Sequence, residues 1–144
     1  LFRSAEGALD GARVEIDPTT GRLEGVRVRV AAGDPLDDVV LRSYAIGAAH
    51  MALGWVLTEG LAVDPVSGEP LDLTIRSLGI IRAKDVPPIE VGILDESGAP
   101  CARSSDAVFA AVAGATVLAL LRADGVAPTT FPARTTRTAR ALRR

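Results

Sequence analysis

Apolar and charged residues alternate along ARVEI and again along RLEGVRVRV, on either side of Asp17-Pro18-Thr19-Thr20-Gly21. Period-two alternation marks a half-buried strand, and a Pro-initiated, Gly-terminated connection between two such strands predicts a β-hairpin. Val14 and Ile16 then share one face and Arg13 and Glu15 the other, while across the turn Val26, Val28 and Val30 turn away from Arg27 and Arg29. From Pro35 to Leu61 the period lengthens: Leu36, Val40, Tyr44, Gly47, Ala48, Met51, Gly54, Trp55 and Thr58 recur at helical spacing. Asp37 and Asp38 stand where the positive end of the helix dipole favours acids. Gly47, Ala48, Ala52 and Gly54 leave one side of this helix nearly bare, so that a second backbone can approach. After the turn-rich VDPVSGEPLD and the segment LTIRSLGII, Pro87-Pro88 opens a strand through Ile89, Val91 and Ile93 that Gly98 closes. A second helix is predicted from Asp106 to Ala123, with Ser104 or Ser105 as its N-cap and Gly125 beyond its end. A last short helix, in residues 132–144, carries Arg134, Arg137, Arg140, Arg143 and Arg144. The expected class is α/β (α+β type): a hairpin and further strands packed on two long helices rich in small residues, in one domain spanning residues 1–144.

Composition sharpens this picture in three ways. Apolar residues make up 48% of the chain and mean hydropathy is +0.27, yet only Phe2, Tyr44, Trp55, Phe109 and Phe131 are aromatic, so Ala, Val, Leu and Ile must build the core. That much apolar surface points to another protein chain, a second copy or an oxidoreductase subunit, covering part of it. Charge is split: residues 1–131 carry net −7, and the five tail arginines are uncompensated locally. One cysteine, Cys101, excludes an internal disulfide and a thiolate cluster, fits the cytoplasm, and leaves no metal site to be expected. His50, the sole histidine, is too little for a His-rich metal site. The uncharged stretches Ser43–Thr58 and Ala107–Leu121 fall short of the roughly 20 residues of a membrane span, so buried helices and no membrane contact are expected. The opening LFRSAEGALDG has neither an initiator Met nor a basic-then-apolar start, so no signal peptide is visible and the sequence is expected to begin mid-protein.

Several segments, in order, resemble the C-terminal end of the molybdopterin-binding large subunit of the xanthine dehydrogenase and aldehyde oxidase family. ARVEIDPTTGRLEGVRVRV is similar to that family's V-E-V-D-P-E-T-G hairpin, and GAAHMALGWVLTEGL to its Gly-rich helix. IRSLGIIRAKDVPPIEVGILDE is similar to its strand ending in D-M-P-P-I-E-V, and GVAPTTFPARTTRTARALR to its closing segment. The resemblance runs from about Gly11 to Arg143 and implies the same fold. It also implies where chemistry would sit. The family's elbow G-A-K-G-x-G-E-P-P falls on Cys101 to Phe109, which places Ala107 where the family keeps its glutamate base, with none of the glycines retained. Alanine cannot exchange a proton. Asp106 precedes it by one residue, about 100° around a helix, and so is expected to point elsewhere. The family's pterin-contacting E-G-Q falls on Arg42, Ser43 and Tyr44, and of its D-C-G-R loop only Gly33 remains in AAGDPLDD.

At the elbow, Arg103, Ser104 and Ser105 are the candidate cofactor-binding residues, since a helix N-terminus with hydroxyls can hold an anion; the alternative is a plain cap with Arg103 solvated. Cys101 reads either as a reactive thiol or as a small buried hydrophobe, and His50 as a packed histidine. Tyr44 and Trp55 share one helix face and read as core or interface anchors. The tail arginines suit ion pairs with the acidic body or a partner better than nucleic acid. These readings describe a scaffold or partner-binding module with no catalytic residue and no cofactor held by this chain alone. The alternative is one chain of a split molybdenum-dependent oxidoreductase, with molybdopterin bound only when other chains complete the site. A small-ligand or nucleic-acid binder on the same scaffold is a third possibility.

Overall fold

The hairpin begins earlier than its turn pattern suggests. The computed structural model describes residues 1–4, 7–71, 74–75 and 77–142. In it β1 (Phe2–Arg3) pairs antiparallel with β2 (Leu9–Ile16), and β2 pairs antiparallel with β3 (Leu23–Ala31), with Val14 opposite Val26 and Ala12 opposite Val28. The turn holds itself. The Asp17 carboxylate accepts the Thr19 N–H at 2.7 Å and the Thr20 hydroxyl at 2.7 Å, and the Gly21 N–H returns to the Asp17 carbonyl at 2.8 Å. Gly21 sits at φ 74°, and a Cβ there would lie 2.9 Å from Arg137 Cβ, so both conformation and space require glycine.

β4 (Ile89–Ile93) joins β3 in parallel, giving a mixed sheet in the order β1-β2-β3-β4. The strand stops at Ile93, short of the expected Gly98. One sheet face is dry: Val26, Val28 and Val30 are buried, with Val91 beside Val28. The other is a wet lattice in which Glu15 pairs with Arg13 at 3.0 Å and Arg27 at 3.3 Å, and Arg27 reaches Glu90 at 3.3 Å.

Two helices lie side by side on the dry face. α1 (Asp38–Leu57) packs over β4 and β3, α2 (Ser104–Asp124) over β2 and β1, and each packs on the other. The result is a two-layer α/β arrangement. Leu53, Val56 and Leu57 of α1 and Val108, Val112 and Leu120 of α2 are buried between the layers, each contributing about 1.5–3 kcal/mol by its removal from water. Both helices are long and apolar enough to cross a membrane by length and composition, longer than the uncharged runs suggested because they continue past charged residues. Here 44% of the apolar window of α1 and 50% of that of α2 are buried within the fold.

Helix ends follow the sequence in part. Asp37, expected at the acidic start of α1, is its N-cap, accepting from Val39 N–H and Val40 N–H, and left-handed Gly125 ends α2. The N-cap of α2, however, is Arg103, and Ser104 and Ser105 already belong to the first turn. Arg103 takes left-handed dihedrals, φ 59° and ψ 31°, which reverse the chain one residue earlier than a serine cap would. The Arg-rich terminal helix is shorter than expected: α3 spans only Arg137–Ala141, with Thr136 as its cap. Arg134 precedes it in a turn, and Arg143 and Arg144 lie outside the described residues. Arg137, though exposed, makes the ion pair with the acidic body that was expected of the tail. Its guanidinium meets Asp124 at 2.8 Å and the carbonyls of Ala123 and Thr19 at 2.5 and 3.3 Å, locking the end of α2 to the hairpin turn.

Candidate functional site

The elbow before α2 folds back on the start of α1. Cys101 N–H donates to the Ala32 carbonyl at 2.8 Å and Asp34 N–H to the Gly98 carbonyl at 3.0 Å, so the β4–α2 connection is stitched to the β3–α1 connection. This brings together residues about sixty positions apart. A cavity of about 500 Å³ forms there, walled by Leu36, Val40, Leu41 and Tyr44 on one side and by Cys101, Arg103, Ser104 and Ser105 on the other. A second hollow of about 440 Å³ continues it along the α1–α2 seam, between Tyr44, Gly47 and Met51 of α1 and Ser105, Asp106 and Phe109 of α2. The three candidate cofactor residues and Tyr44 therefore meet at one place. Arg103 is the one non-glycine residue at positive φ among those described, a conformation that costs roughly 1 kcal/mol or more.

Two adjacent residues divide sharply. Ala107 is fully buried in the core, whereas Asp106 is exposed on the seam hollow. Asp106 lines the seam hollow and not the elbow cavity walled by Arg103 and Ser104. Cys101 is half-buried and lies against Gly7, and forms no disulfide. His50 is half-buried and exchanges a hydrogen bond with the Ile81 carbonyl at 2.9 Å, the behaviour of a packed histidine. No group of three or more His, Cys, Asp or Glu with metal-holding geometry occurs among the described residues.

Electrostatics single out a residue elsewhere. Asp10 lies on the dry face opposite Val30, fully buried, and neither carboxyl oxygen has a hydrogen-bond partner. Burial raises its pKa from 3.8 to about 7. Asp17 and Asp64 behave oppositely. Asp17 is held below its ordinary value first by the Thr20 hydroxyl and then by turn N–H groups, and Asp64 by the N–H groups of Val66 and Ser67. Glu59 is pushed up by burial, opposed by the charge of His50.

The sequence profile of the molybdopterin cofactor-binding domain matches residues 3–87, more than half the chain. The chain belongs to the molybdopterin cofactor-binding domain family. No curated protein sequence matches it significantly. Among solved structures it is similar to the crystal structure of quinoline 2-oxidoreductase from Pseudomonas putida 86, with TM-score 0.64 and 23% identity over 78% of this chain. That likeness is one of fold, and this chain spans 15% of the length of that one. The profile match includes Tyr44 and Gly33 but ends before the elbow.

For a member of this cofactor-binding family, the cavity at the elbow has a divided lining. A pterin is recognised by paired donors and acceptors, and its phosphate by cations or free N–H groups. Here one wall is Leu36, Val40, Leu41 and Tyr44, the other presents Arg103, Ser104 and Ser105, and the whole chain contains neither Asn nor Gln. Asp37 uses its carboxylate to cap α1, and Asp106 adds negative charge beside the same opening. Gly33, the one retained loop glycine, gives its close approach to this chain's own backbone: a Cβ there would lie 2.2 Å from the Ala99 carbonyl oxygen. The lining thus offers a cation and hydroxyls to a phosphate at one wall and no amide pair to a pterin.

Two features of the molybdopterin-family domain escaped the sequence. Asp10 occupies an inward position that the alternation Asp10, Ala12, Val14 would have revealed had the strand been extended past Ala12. Of the two readings of Tyr44 and Trp55, core or interface anchors, their exposure (64% and 48%, with Met51 at 59%) excludes the core, a choice the sequence left open because the opposite side of α1 is equally apolar.

Proposed function

We propose that this chain is a non-catalytic, partner-binding module related to the molybdopterin-binding subunit of the xanthine dehydrogenase and aldehyde oxidase type, working in the cytoplasm. One observation carries the reading. The position that the resemblance gives to the catalytic glutamate is Ala107, and its methyl group is sealed in the core rather than facing the cavity. Such a residue neither takes nor returns a proton, and no neighbouring side chain of the elbow supplies a pterin-recognition pattern. The apolar, aromatic outer face of α1 gives the module something to bind with. The test is metal and pterin analysis of the protein isolated from its own host. A preparation free of stoichiometric molybdenum supports the reading; molybdenum held by the isolated chain overturns it.

A second reading is favoured by Asp106. In a split oxidoreductase, with the remainder of a large subunit supplied by other chains, Asp106 is the acid at the seam, and its first-turn position on α2 leaves the carboxylate accessible. Co-expression with the separately encoded remainder, followed by activity measurement on Asp106→Ala, separates the two readings. Loss of a molybdenum-dependent turnover in Asp106→Ala favours the split enzyme, and unchanged turnover returns the chain to a scaffold role.

A further inference from the structure

The end of α1 remote from the elbow opens on a hollow larger than the elbow cavity or the seam hollow. It holds about 860 Å³ and lies between the C-terminus of α1, residues 75–85 of the connection that follows, and the segment leading into α3. Its walls are tied to the helix end at several points. The Gly60 N–H donates to the Leu78 carbonyl at 3.0 Å, and the Ala133 N–H to the Val56 carbonyl at 2.7 Å. Gly79, at φ 79°, presses so closely on the helix that a Cβ there would lie 2.6 Å from the Thr58 carbonyl oxygen. The lining divides by chemistry. Ile75, Ile80, Ile81 and Leu142 form an aliphatic wall, and Thr58, Arg82, Asp85 and Arg134 supply polar groups. An apolar hollow with a few convergent polar groups suits a small molecule with one polar end. The geometry points to a binding site for an aliphatic monocarboxylate, its charge on Arg134 and its hydrocarbon body on the isoleucines.

The charges of the lining select the head of the ligand. Arg82 is engaged by Asp85 at 2.5 Å, so that pair presents no net charge. Arg134 differs: among the described residues its guanidinium has neither an ion pair nor a hydrogen bond. Its place is nonetheless defined. The Arg134 N–H closes on the Pro132 carbonyl at 2.8 Å, and the side chain lies so close to Gly60 that a Cβ there would be 2.7 Å from a guanidinium nitrogen. A planar fork of unused N–H donors matches the two oxygens of a carboxylate. One uncompensated cation balances one negative charge. A phosphate dianion would leave charge over, beside the Asp85 carboxylate and the carbonyls that end α1. Thr58 adds a donor. It is buried, and its hydroxyl reaches the Gly54 carbonyl only at 3.5 Å, the outer limit of a hydrogen bond, so it is available to turn to a ligand. Ile75 and Ile80 are exposed at 69% and 38%, and a hydrocarbon body laid on them removes that surface from water. A counter-charge for the end of α1, whose last turn has no basic residue, would need the charge of Arg134 but neither its fork nor an aliphatic wall beside it.

Titration of the full chain with sodium octanoate, followed by amide chemical shifts in two-dimensional NMR, tests the site. Saturable shifts centred on residues 79–82 and 134 are expected, with a dissociation constant of about 1 mM or tighter. 1-Octanol has the same body without the charge, and inorganic phosphate the charge without the body. Each should bind about tenfold more weakly or worse. Arg134→Ala should weaken octanoate binding by about tenfold or more with an unchanged circular-dichroism spectrum. Arg134→Lys keeps a cation at the helix end but loses the fork, so it should melt like the wild type and recover only part of the affinity. Ile80→Glu, at an exposed position, sets a carboxylate in the aliphatic wall and should abolish binding; it decides the question if Arg134→Ala does not fold. Shifts that do not saturate, or that centre on the Tyr44 hollow, would overturn the site. So would 1-octanol or phosphate binding as tightly as octanoate, full affinity in Arg134→Lys, or unchanged affinity in Arg134→Ala or Ile80→Glu. The hollow lies at the opposite end of α1 from the elbow, so either result is independent of the molybdenum content that tests the scaffold reading.

Discussion

The helices α1 and α2 are nearly the same length, 20 and 21 residues, and nearly the same in composition, yet they occupy opposite roles. α2 lies across β2, packs against α1 along its side, and carries one aromatic, half-buried Phe109. α1 lies over β3 and β4 and carries exposed Tyr44 and Met51 on the seam hollow and Trp55 tilted against Phe109 of α2 at 6.0 Å. In a protein with five aromatic residues, placing Tyr44, Trp55, Phe131 and Phe2 at the surface inverts the usual economy of a core. The interior is filled with Val, Leu and Ala, and the large rings are left for whatever lies outside. Apolar content therefore says little about which helix is structural and which presents a surface. The neighbours decide.

The contrast can be broken most strongly beneath α2. Asp10 is kept neutral there up to about pH 7, against 3.8 for an ordinary aspartate. The folded state holds a proton that the unfolded chain releases, so the stability contributed by the neutral carboxyl is complete below about pH 4 and is lost as pH rises to about 7. The whole range corresponds to about 4 kcal/mol. Urea unfolding of the wild type should show this decline, and Asp10→Asn should remove most of it and be the more stable protein at alkaline pH. Leu120→Ala, in the fully buried face of α2, should cost about 2–5 kcal/mol, whereas Met51→Ala on the outer face of α1 should stay within about 0.5 kcal/mol of wild type under monomeric conditions. Arg137→Ala, which unties the C-terminus of α2 from the hairpin turn, should cost about 1 kcal/mol and expose the 17–21 turn to proteolysis. Smallest is Gly114→Ala: the site is exposed and empty, and the substitution should stabilise α2 by about 0.5–1 kcal/mol in thermal unfolding.

Much of the fold was legible because its strands alternate and its helices are bounded by Asp37 and Gly125. The hairpin, the inward row Val26, Val28 and Val30, the strand after Pro87-Pro88 and both long helices stand where the pattern puts them. What was not legible depends on partners distant in sequence. Gly7 and Gly11 interrupt the alternation that would have carried β2 back to Asp10. Arg103 became the cap of α2 because the chain has to turn sharply where Cys101 is pinned to Ala32, a contact between positions 69 apart. At the site, the sequence singled out Arg103, Ser104 and Ser105 and, separately, Tyr44; that they line one cavity comes from the fold. Asp106, one residue before Ala107, lies on the seam hollow while Ala107 is turned into the core. A rotation of 100° per residue fixes only the difference between neighbours, and the absolute direction comes from packing.

The edge of the sheet bears on how the protein behaves in a crowded solution. Pro88 and Leu94 bond to β3 through the Pro88 carbonyl and the Leu94 N–H, so by alternation the Val91 carbonyl points to the open side of β4. Arg42 of α1 donates its guanidinium to that carbonyl. An incoming extended chain seeking to add a fifth strand would find the central acceptor of the edge already taken by a charged group that must be displaced into its path. The guanidinium thus acts as a guard against strand addition and fibre growth.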